Sequence, residues 1–158
     1  MWKRIKPYII SIAIALLVGG MSALLTMGNM DIYNGIQTPP LSPPSILFPI
    51  VWTVLYVLMG ISAAIVFTHQ DNNSFEVESG LRSYGLSLLF NFLWSIIFFN
   101  LKWFGIAFFW LLALLFFIVK TIVSYYKVNK LAAYLQIPYT VWVIFAGYLN
   151  FGIWMLNM

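Results

Sequence analysis

The stretch FGIAFFWLLALLFFIVKTIVSYY, residues 104–126, reads as a membrane-crossing helix. It carries one charge, Lys120, and is longer than the roughly 20 apolar residues that take an α-helix across a hydrocarbon core. Working outward, the pattern repeats: residues 7–27, 45–68, 80–100 and 131–156 form four more apolar runs, so five spans are predicted. Of the 158 residues, 63% are hydrophobic, 19% aromatic and only 8% charged, against about 25% charged in a soluble domain. A chain of this length has too little interior to hide that much apolar surface. A soluble monomer and a disordered chain are both excluded. The expectation is an all-α integral membrane protein, one five-helix bundle over residues 1–158.

The connections set the path. Lys3, Arg4 and Lys6 precede the first run, a start that also resembles a signal peptide. The run exceeds a typical h-region and no clear cleavage site follows, so a retained helix is the favoured reading. Residues 28–44 form a loop with Pro39, Pro40, Pro43 and Pro44, expected to be extended and to act as a lid. Pro49 falls in the first turn of the second span, where its missing donor is tolerated. Residues 69–79 form a polar connection, Lys102 marks a tight turn, and Pro138 should kink the fifth span near its start. Five spans put the termini on opposite sides. Lys3, Arg4, Lys6, Arg82, Lys127 and Lys130 fall on the N-terminal side and only Lys102 in a loop on the other, so the N-terminus is expected in the cytoplasm. Lys120 reads first as a snorkelling lysine, second as a functional one.

Composition removes most enzyme chemistry. There is no Cys and one His, His69, so thiolate sites, disulfides and multi-His metal sites are excluded. Asp31, Asp71, Glu76 and Glu78 all lie outside the apolar runs, leaving no intramembrane carboxylate pair. His69 could ligate haem iron, but at a helix end beside a polar loop it reads as a solvated residue. No Walker, nucleophile-elbow or zincin motif occurs, and no inverted repeat. The net charge of +4 reads as topology and not as nucleic-acid binding.

Polar and aromatic residues inside the spans are the informative ones. Asn91, Trp94 and Ser95 share one helical face, as do Asn150 and Trp154. They are either inter-helix hydrogen-bonding glue or the polar anchors of a pocket. Trp2, Tyr8, Trp103, Tyr125, Tyr126 and Tyr134 fit an interfacial belt. Trp52, Tyr56, Trp94, Trp110 and Trp142 lie deeper, with Trp52 and Tyr56 on one face and Phe145 three residues after Trp142. Facing inward, they would make a π-rich slot suited to a planar ligand, the alternative being ordinary aromatic packing. Gly19-x-x-x-Ala23 and Gly60-x-x-x-Ala64 permit close helix contact, within or between protomers. Two weaker patterns are a Pro40-x-x-Pro43 core and a cholesterol-type Val123-x-Tyr125-x-Lys127 match.

The string PPSILFPIVWTVLYVLMG at residues 43–60 resembles the second-helix signature of the tryptophan-rich sensory protein family, also called the translocator protein or peripheral benzodiazepine receptor family. Residues 91–99, NFLWSIIFF, resemble its third-helix signature; Leu131-Ala132-Ala133, Pro138-Tyr139, Trp142, Phe145-Ala146 and residues 149–154 resemble its fifth. The resemblance runs from about Tyr33 to Asn157. It implies a five-helix bundle, often a homodimer, with a pocket capped by the first loop. It also implies binding of porphyrins such as protoporphyrin IX and of isoquinoline-carboxamide ligands. Cholesterol binding is implied for animal members, and light-dependent porphyrin degradation for some bacterial ones. Carried over by motif, the pocket residues are Trp52, Asn91, Trp94, Trp142, Phe145, Ala146 and Asn150, with Tyr33, Tyr56 and Phe99 as second-tier candidates. The chain departs from the pattern at Phe151 and Met155, where the family's cholesterol segment has Tyr and Arg. It departs again at Trp110, where an acidic residue often stands.

The leading expectation is a tetrapyrrole-binding sensory or translocator protein, with porphyrin as ligand or substrate and no obligatory cofactor or metal. Its ring would stack on Trp52 and Trp142, which would act as electron donors in any light-driven step. A carrier of lipophilic molecules and a non-catalytic partner subunit are the alternatives. Lacking a transit-like N-terminus, the chain is expected in a bacterial plasma membrane.

Overall fold

The computed structural model describes residues 1–71 and 73–158. Among the described residues every regular element is helical. The order is α1 (Trp2–Thr26), a 3-10 turn (Met27–Asn29), α2 (Ile32–Gly35), α3 (Leu47–Phe67), α4 (Ser74–Ser95) continued by a π-helical turn (Ile96–Asn100), α5 (Phe104–Val128), α6 (Lys130–Leu135) and α7 (Ile137–Leu156). Five of these stretches are long and apolar enough to span a membrane, and the molecule is an integral membrane protein.

Helices and apolar runs do not share boundaries. α1 begins at Trp2, ahead of the expected residue 7, and holds Pro7 inside it. Lys and Arg are good helix formers, so charge ends the apolar run without ending the helix. For the same reason α4 begins at Ser74, within the connection expected over residues 69–79, with Glu76 in its first turn. Asn72 of that connection lies outside the described residues. Residues 28–44 are not extended throughout: the 3-10 turn and α2 take up the first part, ahead of the prolines. The prolines then do what proline dictates, and residues 37–46 hold no regular helix.

The turn at Lys102 is real, with φ 56°. Pro138 breaks the fifth span outright, between α6 and α7. Its ring nitrogen cannot donate to the Tyr134 carbonyl, and the Gln136 N–H bonds back to Ala133 at 3.1 Å. The break is anchored from α3: Ser62 donates to the Ala132 carbonyl at 2.7 Å, and the Gln136 amide donates to Ser62 at 3.2 Å.

In lipid, helix association rests on close packing and internal hydrogen bonds, because tails are as apolar as side chains. Both small-residue motifs serve the α1–α3 contact inside this chain. A Cβ on Gly60 would sit 2.6 Å from the Ile12 Cα, and one on Gly19 would sit 2.4 Å from the Tyr56 ring. At one end of the bundle Lys127 pairs with Glu76 at 2.8 Å, tying the end of α5 to the start of α4. At the other, Asn100 donates to the Leu25 carbonyl and accepts from Asn29.

Candidate functional site: a lidded aromatic cavity

Near the lid end of the bundle, α1, α3, α4 and α7 enclose a cavity of about 130 Å³. Eight of the ten sequence-derived candidates line it: Tyr33, Trp52, Tyr56, Asn91, Trp94, Phe99, Trp142 and Ala146. Helical spacing explains the convergence. Trp52 and Tyr56 are a turn apart on α3, and their rings stack at 5.7 Å and 29°. Trp142 meets Trp52 edge-on at 6.5 Å and 89°. Trp94 stacks on Phe98 at 5.2 Å. The π-turn carries Phe98 and Phe99, and the Leu101 N–H reaches back to Ile96 at 3.1 Å. Such wide turns reset the direction of the side chains they carry and often mark functional sites.

The polar groups divide into two kinds. Asn150 is structural: its oxygen accepts from the Trp94 indole N–H at 3.0 Å, and its amide donates to the Phe104 carbonyl at 2.7 Å. It therefore joins α4, α5 and α7 and is not among the residues lining the cavity. Phe145 does not line it either; it backs the Trp142 ring at 5.5 Å. Asn91, 2% exposed, lines the cavity and donates to the Tyr56 hydroxyl at 2.8 Å. The Trp142 indole N–H is buried and has no partner within the protein. Leaving a buried donor unpaired costs about 1–3 kcal/mol, and Trp142 carries this orphaned N–H on a ring that lines the cavity. Trp94 presents its ring face, its N–H being committed to Asn150.

Sequence reasoning missed the contribution of α1. Gly19, Ser22, Ala23 and Thr26 line the cavity as one face of small side chains. Their i, i+3, i+4, i+7 spacing was the available signal, although only the Gly19–Ala23 pair stood out, and as a packing motif. Phe48 was missed as well. It stacks on Tyr33 at 5.4 Å and 27°, and beside the cavity lies a second space of about 240 Å³ lined by Asn34, Ser45 and Ile46. Met30, Tyr33, Phe48, Pro49 and Phe99 line both spaces. The rest of the lid is latched to α7: Tyr148 donates to the Pro40 carbonyl at 2.7 Å, and Asn157 exchanges two bonds with the backbone of Gln37 at 2.8 and 3.0 Å. Pro39 lies where a Cβ on Gly152 would fall, 2.6 Å away.

The remaining motifs lie elsewhere. Trp110 stacks on Phe90 at 4.6 Å and donates to the Phe90 carbonyl at 3.0 Å, joining α5 to α4. The His69 Nδ1 lies 2.7 Å from the Ile65 carbonyl at the end of α3, a local backbone contact remote from the cavity. Lys120 is exposed on the outward face of α5. No group of three metal-ligating side chains occurs among the described residues.

Fold and site together define a five-helix integral membrane protein with a lidded, tryptophan-walled cavity. The TspO/MBR family model matches residues 11–155. The chain is 35% identical over 157 residues to the tryptophan-rich protein TspO of Chlorobaculum tepidum, covering 98% of each. It is 35% identical to protein CrtK of Rhodobacter capsulatus over 88% of this chain and 85% of that one. To the translocator protein of Bos taurus it is 30% identical over 96% and 92%. The chain belongs to the TspO/MBR family of membrane sensory and translocator proteins.

Proposed function

We propose that the lidded cavity binds a planar, largely apolar tetrapyrrole such as protoporphyrin IX, and that the chain works as a sensor or translocator for it in a bacterial plasma membrane, N-terminus inward. The observation that carries this reading is the convergence of the Trp52, Trp94 and Trp142 rings on one cavity, with a buried, unpaired N–H on Trp142. Indole and phenyl faces stack on a planar ring, and one free donor fixes its orientation. Isoquinoline-carboxamide ligands present the same combination of flat ring and acceptor oxygen. At about 130 Å³ the closed cavity falls below the roughly 300–1,000 Å³ of small-molecule sites. Binding therefore includes displacement of the Tyr33–Phe48 pair, which lines both spaces. Under light, an indole of Trp52 or Trp142 can donate one electron to the excited ring, leaving an indole radical cation and a ring radical anion. A homodimer would use a face other than the Gly19 and Gly60 contacts, which are occupied within the chain.

Titrating protoporphyrin IX against tryptophan fluorescence, and then following its absorbance under illumination, tests both parts. Wild type should quench saturably. Trp142→Phe keeps a ring and loses the donor, so its affinity should fall about five- to tenfold. Trp52→Phe should bind and bleach more slowly. Unsaturable quenching in wild type rejects the site, and equal bleaching in all three proteins rejects the indole donors.

A further inference from the structure

The space of about 240 Å³ beside the lidded cavity shares five of its nine lining residues with it. The four that belong to this outer space alone are Asp31, Asn34, Ser45 and Ile46. All four are exposed, so the space opens to the surface at the lid end. Local sequence explains the division. Asp31 and Asn34 lie at the start of and within α2, and Ser45 and Ile46 lie just before α3, so polar helix approaches meet over an interior of rings. Asp31 is the N-cap of α2, yet its side chain makes no capping bond. The ion pairs among the described residues, Arg82–Glu78 and Lys127–Glu76, leave it out. Lys102 shares a separate cleft with Asp31, makes no ion pair with it, and does not line the outer space. Asp31 is therefore the one charged residue lining that space.

A ring of the protoporphyrin type has one apolar edge and carries both acid side chains on the opposite edge. No charged residue lines the inner cavity, so the apolar edge enters there and an ionised edge stays out. The acid edge then falls in the outer space, beside the Asp31 carboxylate. Two ionised carboxylates about 4 Å apart repel enough, even in water, to cost about fivefold in affinity. A neutral ester or amide meets no such repulsion, and its carbonyl can accept from the Asn34 amide or the Ser45 hydroxyl. A charge set against the wrong ligand is a specificity device.

We infer that the outer space is the second half of the ligand site and that Asp31 is its specificity-determining residue, favouring planar rings whose polar edge is neutral, as in a carboxylic ester, over the free acids. The inference rests on the tetrapyrrole reading of the lidded cavity. The free acid still binds by ring stacking, but less tightly than its ester.

The test titrates protoporphyrin IX and its dimethyl ester against tryptophan fluorescence, using the full-length protein in lipid nanodiscs. Wild type and Asp31→Asn are compared. The quantity read is the acid-to-ester ratio of dissociation constants. Comparing that ratio between the two proteins cancels the ligands' different partitioning into lipid. Asn matches Asp in shape and as an N-cap, so the variant should fold as wild type does. It should lower the ratio about fivefold by tightening the acid alone. Salt at about 1 M shortens the screening length to about 3 Å. It should bring the wild-type ratio toward that of the variant. A purely structural effect of the substitution would move both ligands together and would not respond to salt. Saturable quenching by both ligands with an unchanged ratio overturns the inference and leaves the tetrapyrrole reading standing. So does a ratio that shifts through weaker ester binding. Unsaturable quenching by both ligands rejects the tetrapyrrole reading, and the inference with it.

Discussion

At the residue scale, the few intramembrane polar groups divide into those spent on neighbouring helices and those left without a partner. Asn150 spends both ends of its amide on neighbouring helices, whereas Trp142 keeps its N–H free. Sequence spacing could place Asn91, Trp94 and Asn150 on inward faces, but it could not say which amide was already satisfied. That depends on a carbonyl of α5, Phe104, remote in sequence and brought in by packing. Replacing Asn150 with Ala strands the Trp94 N–H and removes the bond to the Phe104 carbonyl. The expected cost is about 1–3 kcal/mol, read as a lower melting temperature in detergent. Ligand affinity per folded molecule should change little. A loss of affinity with unchanged melting would return Asn150 to the ligand.

At the scale of elements, long helices were legible because uncharged runs of about 20 residues have few alternatives. Their ends were not, since Lys3, Arg4, Ser74 and Glu76 are compatible with helix as well as with loop. α2 was hidden by its brevity and by the prolines that follow it. The cavity face of α1 was hidden because small residues signal packing as readily as a wall. Gly60 shows how tightly two elements can depend on one position. Gly60→Val places a side chain against the Ile12 backbone, where little can yield. It should cost about 1–3 kcal/mol by overpacking, seen as a lower melting temperature and weaker ligand binding at the lidded cavity. Wild-type stability in this variant would mean that α1 is free to shift.

For the whole molecule, the break at Gln136, the π-turn after Ser95 and the latched lid all serve one arrangement. Rings from α3, α4 and α7 converge beneath a loop that α7 itself holds down. No carboxylate, lysine, arginine or histidine is among the residues lining that cavity, so under the proposed tetrapyrrole binding any chemistry would come from the ligand. Under the proposed function, a planar ligand reaches the tryptophan walls only when the lid lifts. The chain has no cysteine, so Pro39→Cys with Gly152→Cys introduces a single lockable pair where the two residues already touch. Bridging them needs a local shift of about 1 Å to reach disulfide spacing. Protoporphyrin IX is titrated against the oxidised and then the reduced form of the same sample, with thermal unfolding confirming that both are folded. Quenching should be lost in the oxidised protein and restored on reduction. Equal, saturable quenching in both forms would contradict the need for lid opening.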